Sequence, residues 1–282
     1  MLRRHRVISA AIVAIGLGTM PAGASELASG WTTDKPETRA RLVAGTVSAK
    51  PYAGVEIELA SGWKTYWRFP GDVGGVPPSF DWAKSDNVAS VKVLYPAPKR
   101  MVDPLGVTLG YKDQVILPVE VVAKDPAKPV ALKLTLDYGI CKEVCVPVTA
   151  ELALDLPPGA RADPTAKFLA ALDHVPRSAD GRRDGDPKLL KAEVKLDGAT
   201  PMIAIEAEFP GGTAGAQAYV DSPSGNYIPL PKDAAVTDIG PNRKRFEIDL
   251  TGATDVADLK GKTAFVTLVS EKGLSETTIT LD

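Results

Sequence analysis

Val130-Ala131-Leu132-Lys133-Leu134-Thr135-Leu136-Asp137-Tyr138 alternates apolar and mostly polar residues, then runs through Gly139-Ile140 into Cys141-Lys142-Glu143-Val144-Cys145. A side-chain period of two is the mark of a half-buried antiparallel strand, one face inward and the other in water. Val115, Leu117, Val119 and Val121 form a second such row; Val55, Ile57 and Leu59 a third; Ala150, Leu152, Leu154 and Leu156 a fourth. Twenty-four prolines and 25 glycines cut the chain into short pieces of this kind. Short strands punctuated by turn residues, with almost no helical periodicity, predict an all-β chain built as a β-sandwich.

The exception is Pro164 to Val175, where Ala166, Phe168, Leu169, Leu172 and Val175 recur at helical spacing. A polar stretch rich in Gly and charge follows, Arg177 to Pro187, and reads as a linker. Strands resume at Leu189–Leu196, Met202–Phe209, Ala216–Val220, Arg245–Leu250, Thr263–Val269 and Leu274–Leu281. The expected organisation is therefore a first sandwich over 25–160, a short helix and linker over 161–187, and a second β-rich domain over 188–282. That second domain contains neither cysteine nor histidine and reads as a binding or spacer module.

Residues 1–24 read as a cleavable export signal. Arg3, Arg4 and Arg6 form the charged region, Val7–Met20 the apolar one, and Ala22-Gly23-Ala24 the small-residue cleavage site. No later stretch approaches the ~18 apolar residues of a membrane-spanning helix, so the mature chain is expected to be soluble and exported, with a periplasmic location. Cleavage removes three arginines and no acids, moving the formal charge from −2 to −5. That mild acidity argues against nucleic acid as a partner. His174 is then the only histidine, too little material for a His-rich metal centre. No metal site and no cofactor are expected.

The chain has two cysteines, four positions apart. An exported protein can close them into a disulfide, but a loop of roughly five residues contributes only about 2 kcal/mol in the chain-entropy model. Chemistry is therefore the more informative use of the sulfurs. Exchange requires a populated thiolate and an approachable partner. Lys142 would lower a neighbouring thiol pKa, whereas Glu143 and Asp137 would oppose it. Two other uses stay open at this point: an inert structural bridge, and capture of Cu(I) by two thiolates.

Three blocks carry a resemblance. They are Gly62-Trp63-Lys64-Thr65-Tyr66-Trp67-Arg68-Phe69-Pro70-Gly71-Asp72, running on to Pro77-Pro78-Ser79-Phe80-Asp81-Trp82; Gly110-Tyr111-Lys112-Asp113-Gln114-Val115-Ile116-Leu117-Pro118-Val119; and Tyr138-Gly139-Ile140-Cys141-Lys142-Glu143-Val144-Cys145-Val146-Pro147. In this order they resemble the amino-terminal periplasmic domain of the DsbD thiol:disulfide interchange family, above all its ScsB-like branch. The resemblance covers roughly residues 40–157. It implies an immunoglobulin-like sandwich whose Cys141 and Cys145 relay reducing equivalents. The donor would be a thioredoxin-like domain or membrane electron conduit, the acceptors periplasmic proteins that contain disulfides. It also implies a cap over the pair, placed by position at Asp103-Pro104-Leu105-Gly106 and extending to Tyr111, and an aromatic neighbour at Tyr138. Tyr138 reads equally well as the last inward core residue of its strand. Trp63, Trp67 and Phe69 share a face expected to be core, which leaves Tyr66 on the opposite face, where it could lie near the thiols.

Two features depart from the family pattern. Three residues separate the cysteines, as in the ScsB-like branch, whereas the best-known members space them more widely. The membrane conduit and thioredoxin-like domain of the full-length family have no counterpart in this sequence, so both would be separate chains. The resemblance implies protein-disulfide reductase-type exchange, with Cys145 attacked by the upstream donor and Cys141 resolving. The competing expectation is a non-catalytic periplasmic binding or copper-tolerance module whose Cys pair is structural or captures Cu(I).

Overall fold

Leu132, Leu134, Leu136 and Tyr138 point into one core while Lys133 and Asp137 stand in water, and that alternation sets the frame of the molecule. The computed structural model describes residues 27–104, 106–159, 162–253 and 256–282; the signal segment expected at 1–24 and Leu105 lie outside the described residues. The first sandwich uses β1 (Thr38–Val47), β2 (Lys50–Leu59), β3 (Lys64–Tyr66), β4 (Ser79–Asp81), β5 (Val88–Val93), β6 (Lys99–Asp103), β7 (Gly106–Lys112), β8 (Gln114–Ala123), β9 (Val130–Cys141) and β10 (Cys145–Leu156). One sheet has the order β1-β2-β8-β5, the other β10-β9-β3-β7-β6 with β4 also on β9. Leu42, Val55, Ile57, Leu117 and Val119 of the first face Leu132, Leu134, Leu136, Leu152 and Leu154 of the second in one continuous core. Each fully buried leucine contributes about 1.5–3 kcal/mol, and a one-residue slip of β9 would turn the whole row outward. The architecture is an immunoglobulin-like sandwich.

Burial in β2 and β8 is more continuous than alternation predicts, because the expected helix covers the outer face of their sheet. Helix α1 (Ala166–Asp173) begins at Thr165, whose hydroxyl accepts from the Phe168 amide in an N-cap. Phe168 is buried with Val43 and Ile116. Gly54 makes room for it: a Cβ there would come within 2.8 Å of the ring.

The second sandwich pairs β11 (Lys188–Lys195), β12 (Met202–Glu208), β15 (Arg243–Asp249) and β14 (Val236–Gly240) in one sheet, and β13 (Gln217–Asp221), β16 (Lys262–Ser270) and β17 (Gly273–Leu281) in another. Ile203, Ile205, Phe246, Ile248, Val266 and Leu268 form its own core. The six strands expected here all form, within two residues of the expected bounds. The seventh, β14, carries almost no apolar alternation and is exposed beyond Val236.

The polar stretch before β11, whose composition reads as a linker, is tied down. Arg177 donates to both carboxylate oxygens of buried Asp186 at 2.6 Å, and Asp186 also accepts from the amides of Arg183 and Leu274. The Arg177 backbone bonds along β17 to Leu274 and Glu276. The two sandwiches also touch directly. Trp67 packs on Tyr219 with ring centroids 5.8 Å apart, and Tyr219 and Leu230 join the core of the first sandwich.

Candidate functional site

Hairpin geometry brings the two sulfurs together. In β9 and β10 the register pairs Leu134 with Leu152 and Leu136 with Ala150, and it ends by setting Cys141 opposite Cys145. Their Cα atoms are 4.1 Å apart and the sulfurs are bonded. Lys142, Glu143 and Val144 turn the chain, with the Lys142 amide donating to the Val144 carbonyl.

The sulfurs are unequal. Cys145 is exposed, whereas Cys141 is only 8% exposed. β3 explains the difference, because Lys64 pairs with Cys141 and Thr65 with Ile140 along the other edge of β9. Nothing local in the sequence shows that β3 lies alongside Cys141.

Tyr66, the last residue of β3, brings its hydroxyl to 3.0 Å from Sγ of Cys145. A disulfide sulfur carries no proton, so the phenol donates. The ring is 2% exposed and lies between two glycine backbones. A Cβ on Gly75 would fall 2.3 Å from the ring and one on Gly139 3.2 Å from it. Gly75 also has φ +152°, in the left-handed region that favours glycine. The Gly139 carbonyl accepts from the Thr65 hydroxyl and its amide donates to the Val76 carbonyl.

The cover over Tyr66 is thus the segment between β3 and β4, a strap that leaves the edge of β9 after Thr65, runs beside β7 and returns to β9 at Val76. Its bonds are Trp67 amide to Leu109 carbonyl, Leu109 amide to Pro70 carbonyl, and Val73 amide to Val107 carbonyl. Sequence reasoning quoted this segment without assigning it a place over the site. Its signal was the cluster Gly71, Gly74, Gly75, Pro77, Pro78 inside an otherwise aromatic block.

The other residues singled out from sequence fall in different places. Tyr138 is a core residue, 1% exposed; its hydroxyl bonds Thr38, and burial pushes its phenol up to about 12. Tyr111 is also buried and donates its hydroxyl to the Pro96 carbonyl at 2.7 Å, its phenol raised by burial. Trp67 and Phe69 are core, with Trp63 packed partly exposed against them. Asp103 closes β6 opposite Gly106, and Gly106 lies against Val73 of the strap. Leu105, between them, is outside the described residues. Lys142 lays its aliphatic stem over Gly62. Asp137 is four residues back along β9, about 13 Å from the tip, and accepts from Thr149. Val144 at the tip and Val76 in the strap are exposed apolar side chains. No group of three or more His, Cys, Asp or Glu gathers as a metal site among the described residues, and no helix among them is long and apolar enough to cross a membrane.

An immunoglobulin-like sandwich that holds a disulfide across the mouth of one hairpin, one sulfur exposed, is the form of a thiol:disulfide interchange domain. Residues 35–157 match the family model described as "Thiol:disulfide interchange protein DsbD, N-terminal", and this part of the chain is a DsbD N-terminal-like domain. Among solved structures, the N-terminal periplasmic domain of ScsB from Proteus mirabilis superposes with a TM-score of 0.66 at 22% sequence identity. The match covers 91% of this chain and 99% of that one. At that identity the likeness establishes the fold, both sandwiches included. Comparison with curated proteins gave no match.

Proposed function

We propose that this chain is an exported thiol:disulfide carrier. It takes reducing equivalents from a thioredoxin-like domain, or from a membrane electron conduit on a separate chain, and passes them to periplasmic proteins that contain disulfides. The periplasmic location is carried over from the ScsB domain and agrees with the signal read at 1–24. The observation that supports the reading best is the asymmetry of the pair, with Cys145 exposed and Cys141 covered.

A donor thiolate attacks Sγ of Cys145, the Cys141–Cys145 bond breaks, and its electron pair leaves on Cys141, which takes up a proton. The donor's second thiol then attacks the mixed disulfide, departs oxidised and leaves both cysteines reduced. In the forward half, the Cys145 thiolate attacks a substrate disulfide and expels one substrate thiolate. Cys141 resolves the mixed disulfide, expels the second thiolate and re-forms the bond. Two electrons pass through and the carrier returns to its starting state. The Tyr66 hydroxyl sits where it can donate to the Cys145 thiolate in the reduced form, which favours that sulfur as nucleophile. Exposed Val144 and Val76 give a docking partner apolar contact beside the reactive sulfur. The hairpin tip at Asp103–Gly106, which touches the strap through Gly106 and Val73, is the proposed outer part of the shield.

Trapping tests the proposal. Cys141→Ser, expressed in the native host, should accumulate mixed disulfides through Cys145 with a thioredoxin-like protein and with exported substrates. A pair with a reduction potential below roughly −300 mV, with no trapped species, is an inert bridge and would sink the carrier reading.

A further inference from the structure

Tyr66 has no room of its own to move, and the residues that seat it are gripped by the second sandwich. Arg68, two positions after Tyr66, reaches across the interface. Its guanidinium donates to both oxygens of Asp221 at 2.9 Å, to Thr267 at 3.1 Å and to Glu276 at 2.6 Å. It also lies over the rings of Trp67 and Phe265 at 4.4 and 5.2 Å. Asp72, three positions before Gly75, accepts from the Tyr227 hydroxyl at 2.9 Å and the Leu230 amide at 3.0 Å. Phe69, between them, packs against Tyr227. Both ends of the clamp on Tyr66 are therefore anchored in residues 219–276.

We propose that the second sandwich is a positioning body for the thiol pair, holding Tyr66 against Cys145 through Arg68 and Asp72. The inference rests on the thiol-exchange reading and gives residues 188–282 a part in it beyond that of a spacer.

The physical argument is one of reach and cost. Arg68 is two residues from Tyr66, about 7 Å of extended chain, and Asp72 is three from Gly75, about 10 Å. A half-buried guanidinium without its carboxylates bears an uncompensated desolvation cost. If Asp221 is neutralised, only Glu276 and Thr267 still hold Arg68; the guanidinium shifts towards Glu276 and carries the backbone of Trp67 with it. A slip of about 1 Å there is enough to open the Tyr66–Cys145 contact, because a donor beyond hydrogen-bond range gives the sulfur little. Two carboxylates face one guanidinium. Burial, reinforced by Glu276, pushes Asp221 above the usual carboxylate range even though Arg68 pulls it down.

The test uses the full chain carrying Cys141→Ser, so that Cys145 is the only thiol, and follows its alkylation by iodoacetamide against pH. Tyr66→Phe should raise the midpoint by about one pH unit, which is about a tenfold fall in thiolate below it. Asp221→Asn and Tyr227→Phe, whose bonds run to Arg68 and Asp72 and not to the sulfur, should raise it in the same direction by half a unit or more. Added to Tyr66→Phe, neither should raise it further, because both act through that hydroxyl. Should Asp221→Asn not fold, Tyr227→Phe still decides the matter, since it removes a single oxygen and keeps the ring on Phe69. An unchanged pH profile at a lowered melting temperature, or shifts that add in full to that of Tyr66→Phe, would overturn the proposal. The readout needs no protein partner. A failure of the carrier reading would therefore appear as missing electron transfer with the alkylation profile intact.

Discussion

Gly75 lies flat on the ring of Tyr66, so close that a methyl group at position 75 would stand 2.3 Å from Cε1. The same ring carries the hydroxyl that meets Cys145. The strap that packs on Tyr66 and the hydroxyl that meets Sγ of Cys145 thus belong to one contact: moving the strap moves the donor.

Gly75→Ala should accordingly loosen the strap on Tyr66 and the hydroxyl on Cys145 together. The new methyl needs space held by an aromatic ring, at a left-handed φ that costs about 1–3 kcal/mol for a non-glycine residue. The expected result is a melting temperature lower by several degrees, at about 2–4 °C per kcal/mol for a chain of this size, with the fold retained. Reduction of the disulfide by dithiothreitol should become several-fold faster as the Tyr66 ring is displaced from Sγ of Cys145. Stopped-flow reduction of both proteins measures it; an equal or slower rate in the variant would show that the strap does not limit access.

The two single-cysteine proteins should differ in the way their exposures differ. With Cys141→Ser, the remaining Cys145 is open to reagents; with Cys145→Ser, the remaining Cys141 is buried beside β3. A bulky maleimide should label Cys145 at least about tenfold faster than Cys141 at the same pH, since access and thiolate fraction both favour it. Equal rates would remove the structural basis for the order of attack.

Removing both sulfurs should leave a folded protein. The loop they close is short, so Cys141→Ser with Cys145→Ser costs about 2 kcal/mol by the entropy model, against a typical stability of about 5–15 kcal/mol. The hairpin keeps eleven further register pairs from Val146–Ile140 to Leu156–Val130 without gaps. Circular dichroism should show the native strand content, while electron uptake from a thioredoxin-like donor is abolished. Loss of the fold would instead make the bridge structural.

What could be read from sequence follows from how local each signal was. The alternation in β9 and β10 fixes both a face and a register, so the pairing of the cysteines across the hairpin mouth was within reach of the sequence. So were α1 and the strands of the second sandwich, where apolar periodicity is strong. β14 escaped because it buries almost nothing. The burial of Cys141 escaped because it depends on β3, whose three residues arrive from more than 70 positions away. Arg68 looked like one more cation in an aromatic block; its partners Asp221 and Glu276 lie 153 and 208 positions further on. The fastening of the linker escaped for the same reason. Composition marks Arg177–Pro187 as irregular, which it is, but cannot show that Leu274 and Glu276, from the far end of the chain, hold it.

That fastening should show in the response to acid. Asp186 is 1% exposed; burial alone would raise its pKa, but donation from Arg177 and from the amides of Arg183 and Leu274 wins and lowers it from 3.8 to about 2. A folded value below the unfolded one means that the unfolded chain binds the proton first. The stabilisation is therefore complete above pH 4 and is lost as the pH falls through about 2. Nearly two pKa units correspond to about 2 kcal/mol. Asp186→Asn should be less stable than the parent by about that amount at pH 5 to 7, with the gap closing between pH 4 and pH 2, as urea unfolding of both proteins along that series would measure. Every other titrating group is shared, so the difference isolates this one. The same variant frees Arg177 and unfastens the stretch from β17. Limited proteolysis at neutral pH should then cut between 177 and 187 in Asp186→Asn while leaving the parent intact there. A stability gap constant from pH 7 to pH 2, or a parent chain cut at this stretch as readily as the variant, would show that the ion pair does not hold the two sandwiches' connection closed.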